Sequence, residues 1–262
     1  TSVTDNVITN DSSGADSPAS FVAWTSPLNG TWGTLTDNGL GGYTYTLHDD
    51  ASVQALNKGE HQTDTFTYTM QDADGDIKTA TLTVTVNGSN DDPTIVVHTG
   101  NPENSNDTVY EAGLTGGTQA GEAETHAGGT FTLGDADGLS NIAGITIGTT
   151  TIAIADLGNN NVINGSNGTL TITHYDSNTG EVTYTYDLTS PVGNAVGSDA
   201  GSDNFTVTVN DADGGSNSAN IVTDIVDDKP VARDDSASVT EDTHTSVTDN
   251  VITNDSSGAD SP

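Results

Sequence analysis

Apolar and polar residues alternate with a period of two along most of the chain. Asp64–Met70 reads DTFTYTM, Ala80–Val86 reads ATLTVTV, and Phe205–Val209 reads FTVTV. Because successive side chains of a strand point to opposite faces, this pattern predicts strands with one buried apolar face and one solvated Thr face. Thr is β-branched, so it favours strands without adding charge.

Shorter segments extend the same pattern. Tyr43–Leu47 and Val182–Tyr186 alternate in the same way, and Ser177–Gly180 (SNTG) is typical of a hairpin turn. The one helical candidate is short, around Ala51–Asn57. The sequence therefore predicts an all-β fold of β-sandwiches and argues against disorder of the whole chain.

An exact internal repeat sets the domain organisation. Residues 1–18 (TSVTDNVITNDSSGADSP) recur residue for residue as 245–262. This predicts one period of a tandem array plus a short overlap. Two linkers follow long strands and place two Asp before a Pro, which blocks strand continuation: NGSNDDP at Asn87–Pro93 and VDDKP at Val226–Pro230.

The linkers divide the chain into three parts. Residues 1–91 are expected to form a sandwich that lacks its first strand, and 92–227 a complete sandwich. Residues 228–262 are expected to be the N-terminal part of the next copy of the first domain. The counterpart of the missing opening is Pro230–His244. We therefore expect 228–262 to be able to complete residues 1–91 of another molecule by strand exchange.

Composition narrows the possible partners. The chain has 38 acidic and 4 basic residues, a net charge of −34, and 31% hydrophobic residues. Such a chain is either disordered or neutralised by cations, and the alternation favours cations. Cys is absent, which excludes disulfides. With so few basic residues we expect no nucleic-acid partner, and without a long apolar run we expect no membrane insertion.

Three loops share the tetrapeptide DADG. They are Asp72–Gly75, Asp135–Gly138 and Asp211–Gly214. Asp-Gly alone makes a good tight turn, so one such loop would indicate only a turn. Two carboxylates at i and i+2 repel each other, however, and a hard cation removes that repulsion while accepting several oxygen ligands. Three identical loops in a cation-poor chain favour metal binding.

Topology predicts where these loops meet. In a seven-stranded sandwich, the loops between strands two and three and between six and seven lie at the end where the chain enters. In the middle domain these are Asp135–Gly138 and Asp211–Gly214, and the entering linker carries Asn90, Asp91 and Asp92. Such a junction supplies the six to eight oxygens of Ca²⁺. Mg²⁺ prefers few protein ligands, and Zn²⁺ requires His or Cys.

The same reasoning applies one domain further on. Asp227 and Asp228 are expected to lie close to the first loops of the next copy of the first domain. The DADG loop of that copy is expected to lie at the same place. Glu111 and Glu241 end presumed first strands and are further candidates. The complete set of candidate metal ligands is Asn90, Asp91, Asp92, Asp135, Asp137, Asp211, Asp213, Asp72, Asp74, Asp11, Asp16, Glu111, Asp227, Asp228, Glu241, Asp255 and Asp260.

Several of these residues lie in stretches that resemble known repeats. Trp32–Pro93, with NVITND at Asn6–Asp11, resembles the VCBS repeat, a cadherin-like module of large bacterial surface proteins. Residues 93–227, with TFTLGDADGLS and DNFTVTVNDADGG, are similar to a second repeat class of giant type I-secreted RTX adhesins. The glycine-rich nonapeptide of calcium β-rolls is absent.

The resemblance implies tandem immunoglobulin-like or cadherin-like β-sandwiches in a linear array with Ca²⁺ at the junctions. It also implies an extracellular, cell-surface stalk that becomes rigid where neighbouring repeats of the same chain meet. Such a stalk would project a distal binding region in adhesion or biofilm formation. The alternative is a domain that binds glycan or ice through Thr-rich strands with Trp24 and Trp32. The histidines share no motif, and neither GxSxG nor HExxH occurs, so we expect no enzyme.

Overall fold

A computed structural model describes residues 1–99, 107–193, 200–243 and 246–260. Thr245, Ser261 and Pro262 of the predicted repeat copy and His244 of the predicted strand lie outside these ranges. The chain forms two compact units. The first comprises Thr1–Asp92 with Ala136–Gly138, and the second comprises Pro93–Asp135 with Leu139–Pro262. The predicted boundaries at 91 and 227 remain predictions.

The first unit contains two three-stranded sheets. Its strands are β1 (Ser2–Asn6), β2 (Ser20–Trp24), β3 (Gly33–Gly39), β4 (Gly42–Leu47), β5 (His61–Gln71) and β6 (Ile77–Asn87), and α1 (Ala51–Gln54) precedes β5. One sheet has the order β1-β4-β3 and the other β2-β5-β6. The β5–β6 pairing is antiparallel and runs without a break from His61 opposite Asn87 to Gln71 opposite Ile77.

The core of the first unit consists of the apolar faces of these strands. Leu35, Tyr45 and Phe66 are fully buried between the sheets. These residues occupy alternate positions in their strands, and the Thr residues between them lie on the other face. The alternation in the sequence therefore indicates which face of each strand is buried.

The second unit contains two five-stranded sheets. Its strands are β7 (Thr94–Thr99), β8 (Asp107–Tyr110), β9 (His126–Gly134), β10 (Ile142–Ile147), β11 (Thr150–Ala153), β12 (Asn161–Asn164), β13 (Gly168–Tyr175), β14 (Glu181–Leu188), β15 (Ala200–Asp211) and β16 (Ser216–Val226). The sheet orders are β11-β10-β15-β16-β8 and β12-β13-β14-β9-β7. Strand β8 pairs with β16 in parallel, whereas the other pairings are antiparallel.

The second unit is larger than the seven-stranded sandwich that the sequence analysis assumed. Ten strands lie in the described residues, because β11 and β12 add a short edge strand to each sheet and the opening segment divides into β7 and β8. The two DADG loops nevertheless connect β9 to β10 and β15 to β16. The core between the sheets includes Phe131, Tyr184 and Val207, all with at most 1% exposure.

The all-β class is confirmed, Ser177–Gly180 connects β13 to β14 as a hairpin, and α1 lies within the predicted helical segment. Short 3-10 helices at Val7–Asn10, Glu111–Gly113, Leu139–Asn141 and Ile154–Asp156 complete the structure. None of the helices in the described part of the chain has the length and apolar character needed to traverse a bilayer.

Candidate metal centre

The three DADG loops have the same local geometry at their glycine. Gly75, Gly138 and Gly214 have φ values of 95°, 99° and 104°, which residues other than glycine rarely adopt. In two of the loops the first Asp caps the turn. Asp72 accepts hydrogen bonds from the backbone N–H groups of Gly75 and Asp76 at 3.1 and 2.8 Å. Asp211 accepts three such bonds from its own loop. Part of the tetrapeptide is therefore explained by turn chemistry.

The first acidic cluster lies in the first unit and consists of Asp16, Asp72 and Asp74. Carboxylate oxygens of the three residues lie within 4.8 Å of one another. The backbone N–H of Ala73 donates to the carbonyl of Asp16 at 2.9 Å, which fixes the loop before β2 against the DADG loop. A side-chain hydrogen bond in which Asp74 donates to Asp72, together with the negative charge of Asp72, raises the pKa of Asp74, and the same hydrogen bond lowers the pKa of Asp72.

The second acidic cluster lies in the second unit and consists of Glu111, Asp227 and Asp260. Oxygens of these three carboxylates also lie within 4.8 Å of one another. Glu111 follows β8 directly, is fully buried, and accepts the backbone N–H of Val192 at 2.6 Å. Burial, followed by the charges of Asp260 and Asp227, raises the pKa of Glu111. Burial and the neighbouring Asp227 likewise raise the pKa of Asp260.

Asp228 holds the repeat copy beside this second cluster. Its side chain is 5% exposed and accepts the backbone N–H of Thr118 at 2.8 Å, the Thr118 hydroxyl, and the backbone N–H of Ala259 at 3.0 Å. These donors balance the charge of Asp228. Its position is therefore that of a structural anchor next to the cluster.

One further pair of predicted ligands is joined by a hydrogen bond, and another hydrogen bond joins two of the predicted loops. Within the first unit, the backbone N–H of Asp91 donates to the carboxylate of Asp137 at 2.9 Å, and Asp137 is 5% exposed. Within the second unit, the N–H of Ala212 donates to the carbonyl of Asn141 at 2.9 Å, which links the loops that follow β9 and β15.

The remaining predicted ligands have varied surroundings. Asp11 accepts the hydroxyl of Tyr68 at 2.9 Å, and burial together with this hydrogen bond raises the Tyr68 pKa to about 12. Asp255 accepts the backbone N–H of Arg233 at 2.8 Å. Glu241 is exposed, whereas Asn90, Asp92, Asp135 and Asp213 are half-buried or exposed loop residues.

The chemistry of the two clusters suits a hard cation. All their donors are carboxylate oxygens, which Ca²⁺ and Mg²⁺ bind and which Zn²⁺ rarely binds without nitrogen or sulfur. Three carboxylates close together are mutually repulsive, and a divalent ion at their centre would offset most of their negative charge. Flexible coordination by several protein oxygens favours Ca²⁺ over Mg²⁺.

Two buried aspartates play a structural role that the sequence analysis missed. Asp64 is 4% exposed and accepts the backbone N–H groups of Thr31, Trp32 and Gly33 at 2.8 to 3.0 Å and the Tyr45 hydroxyl at 2.7 Å.

Asp203 of the second unit is the equivalent residue. It is 2% exposed and accepts the N–H groups of Asn167 and Gly168 at 3.0 Å and the Tyr186 hydroxyl at 2.8 Å. A shared pattern in the sequence could have revealed the pair, because GTLT, YTY and D-x-F follow in this order in both units.

The two tryptophans belong to the first unit and do not form an exposed platform. Trp24 packs against Tyr43 and Tyr68 with ring centroids 6.2 and 5.6 Å apart. Trp32 is half-buried and packs against the same core. The structure therefore gives no support to the alternative in which these rings bind a ligand.

Comparison with known proteins shows which family the first unit is similar to. Residues 1–85 match the family model of the Bacterial Ig domain, and this part of the chain is similar to that family. No curated protein matches the chain.

Solved structures show weaker similarity. The Protocadherin GammaB4 extracellular domain is 17% identical, with a TM-score of 0.40, and the match covers 84% of this chain and 29% of that one. Human CDH23 EC21-23 is 14% identical, with a TM-score of 0.35 and coverage of 82% and 61%. The fibronectin(III)-like modules of Clostridium thermocellum CbhA are 14% identical, with a TM-score of 0.25 and coverage of 78% and 80%.

Proposed function

We propose that this chain is an extender repeat of a large bacterial surface adhesin and that Ca²⁺ stabilises it. This function is supported by the resemblance to VCBS and RTX-adhesin repeats, by the exact internal repeat, and by the match of residues 1–85 to the Bacterial Ig domain family. On this proposal the protein is extracellular, is secreted by a type I system, and has no catalytic role.

One observation carries the proposal. Asp16 and Asp260 occupy the same position of the repeat, 244 residues apart, and each belongs to an acidic cluster. In the first unit this position lies beside Asp72 and Asp74, and in the second beside Glu111 and Asp227. Where one copy of the repeat follows another, a single aspartate would occupy the position that Asp16 and Asp260 share. The other members of both clusters would then surround this aspartate. Five carboxylates then offer the six to eight oxygens that Ca²⁺ takes.

Calcium bound there would tie the end of one domain to the first loops of the next. Asp228, whose backbone N–H donates to buried Glu111 at 3.4 Å, holds the segment that bears Asp260 by accepting the N–H of Ala259, so little rearrangement is needed. Without the ion, the gathered carboxylates repel each other and the repeats move more freely. With it, a series of repeats stiffens and projects a distal binding region from the cell.

Calcium binding is also compatible with export of the chain from the cell. Extracellular modules bind Ca²⁺ with Kd of about 10⁻⁴–10⁻³ M. Sites of this affinity are empty in the cytosol and fill outside the cell. A chain that is less stable before export can pass a secretion channel unfolded and then fold at the surface.

The test compares the chain with Ca²⁺ and with chelator. At about 10 mM Ca²⁺, these affinities predict about 1.4 to 2.7 kcal/mol of stabilisation per site, which raises the midpoint of thermal unfolding by several degrees. Small-angle scattering should show a larger maximum dimension with Ca²⁺. An unchanged midpoint and unchanged dimension would contradict the proposal.

Matched variants locate the effect. Asp16→Asn and Asp260→Asn should each reduce the calcium-dependent rise in the midpoint. The controls are Asp49→Asn and Asp235→Asn, which remove an exposed carboxylate outside the clusters. If the controls reduce the rise as much as the cluster variants, bound calcium acts through overall charge and not through these sites.

A further inference from the structure

Strand β6 forms an open edge of the first unit. The sheet β2-β5-β6 ends at β6, so within the described residues its outer edge has no hydrogen-bonded strand. An edge with free backbone N–H and C=O groups is a template for another strand. The edge of this unit therefore has the capacity to accept a partner by strand addition.

An apolar groove lies beside this edge. Its volume is about 250 Å³, and it runs between β6 and the first strand of the other sheet. The residues that line it include Val3, Tyr45, Leu47, Val84, Val86 and Asn87. Such a groove matches the apolar face of a short strand.

The second unit shows which strand fills the equivalent place. The β15–β16 hairpin aligns with β5–β6 through Asp203 and Asp64, each followed by Phe two residues later. Asp203 is opposite Thr223, and Asp64 is opposite Val84. In the second unit, β8 pairs in parallel with residues 223–226. The corresponding residues of β6 are 84–87, and all four line the groove.

A segment of this chain has the sequence of such a strand. Thr108–Glu111 reads TVYE, and Ser238–Glu241 reads SVTE. Val109 of the first segment is completely buried in the core, whereas Val239 of the second is 60% exposed. Ala237 and Ser238 are also exposed. Residues 237–239 of this segment are therefore accessible to a partner.

We propose that the groove beside β6 binds the segment Ala237–Thr240 of a second copy of this chain, as a parallel strand. The register of β8 on β16 assigns the pairs Val84 with Ala237, Thr85 with Ser238, Val86 with Val239, and Asn87 with Thr240. Val239 enters the groove as Val109 enters its core. This interaction is independent of calcium and does not rest on the proposed function.

Disulfide trapping tests the register, because the chain has no cysteine. Thr85 and Ser238 are exposed and opposite each other in the proposed pairing. Neighbouring strands are about 4.8 Å apart, within the about 4.4–6.8 Å between Cα atoms that a disulfide spans. A mixture of the full-length Thr85→Cys and Ser238→Cys chains should form a covalent heterodimer under mild oxidation.

A shifted cysteine provides the control. Thr79 is on the same strand and equally exposed, but it lies six residues away, about 20 Å. The Thr85→Cys mixture should cross-link about tenfold more than a Thr79→Cys mixture, with chelator as well as with calcium. Adding Val239→Asp to the Ser238→Cys chain should abolish the difference.

Two results would overturn the proposal. One is equal cross-linking of the Thr79→Cys and Thr85→Cys chains, which would indicate random collision. The other is a disulfide within single chains of the Thr85→Cys/Ser238→Cys double variant while the mixture of single variants stays monomeric. That outcome would assign the groove to the chain's own segment and not to a second copy.

Discussion

Asp64 and Asp203 lie in the interiors of the two units, where backbone N–H groups and a tyrosine hydroxyl supply their hydrogen bonds. Burying a carboxylate is costly unless such donors replace its water. These residues were not predicted from the sequence, because Asp is a polar residue and its backbone donors come from a segment more than 30 residues away. In this chain, a buried carboxylate can thus serve the fold alone.

Removing the Asp64 charge should destabilise the first unit. Asn has one acceptor oxygen and an NH₂ group that would face N–H donors. We expect Asp64→Asn to lower the free energy of unfolding by about 2–3 kcal/mol and Tyr45→Phe, which removes one hydrogen bond, by about 1 kcal/mol. Urea unfolding measures both, with Asp49→Asn as the exposed control. Equal effects of Asp64→Asn and the control would contradict the assigned role.

The same residue predicts a loss of stability in acid. Burial acts to raise the Asp64 pKa, but the hydrogen bonds from Tyr45 and three backbone N–H groups hold it below 3.8. A carboxylate with a lowered folded pKa contributes stability above its unfolded pKa and loses it as pH falls through the folded pKa. The difference in the free energy of unfolding between the wild type and Asp64→Asn should therefore be constant near neutral pH and shrink below about pH 3.8. A difference that stays constant down to pH of about 2 would contradict this prediction.

At the scale of elements, the period-two pattern predicted the long strands and the hairpin between β13 and β14. It missed the four-residue strands β11 and β12. Such short edge strands show little periodicity, and pairing with a longer neighbour determines whether they form. A strand that ends at Glu111 was expected, and β8 lies there, but its parallel pairing with β16 was not predicted because it depends on contacts between segments distant in sequence.

The glycine that begins β13 is predicted to be essential for packing. A Cβ at Gly168 would lie 2.3 Å from the Tyr186 hydroxyl, and one at the equivalent Gly33 would lie 2.5 Å from the Tyr45 ring. Gly168→Ala should therefore destabilise the second unit by about 1–3 kcal/mol. Gly193→Ala is the control, because among the described residues its Cβ would have no atom within 4 Å. Thermal unfolding should separate the two variants, and identical midpoints would refute the packing argument.

At the scale of the whole molecule, a net charge of −34 makes self-repulsion a general cost of folding. The sequence identified the acidic segments that form the two clusters, because the repeat and the DADG loops mark them. It did not separate Asp16 and Asp260 from Asp11 and Asp255, which accept hydrogen bonds from Tyr68 and Arg233 instead. That distinction depends on side-chain positions which the pattern of residues does not contain.

Two kinds of cation effect follow from this charge, and they can be separated. Any salt screens exposed carboxylates, with a strength set by ionic strength. An ion that is bound by several carboxylates acts at much lower concentration and depends on its size and preferred coordination. The clusters predict the second behaviour for Ca²⁺.

We therefore expect about 10 mM CaCl₂ to raise the unfolding midpoint clearly more than NaCl at the same ionic strength of about 30 mM. MgCl₂ should fall between them, since Mg²⁺ is reluctant to exchange its water for protein oxygens. Calorimetric scans of the wild type and of Asp260→Asn measure the ranking. In the variant, the unfolding midpoint with CaCl₂ should lie closer to the midpoint with MgCl₂, and the midpoint with NaCl should be unchanged, because only the bound ion is coordinated by that carboxylate. If the three salts have equal effects at equal ionic strength, screening explains the stabilisation and the clusters do not select calcium.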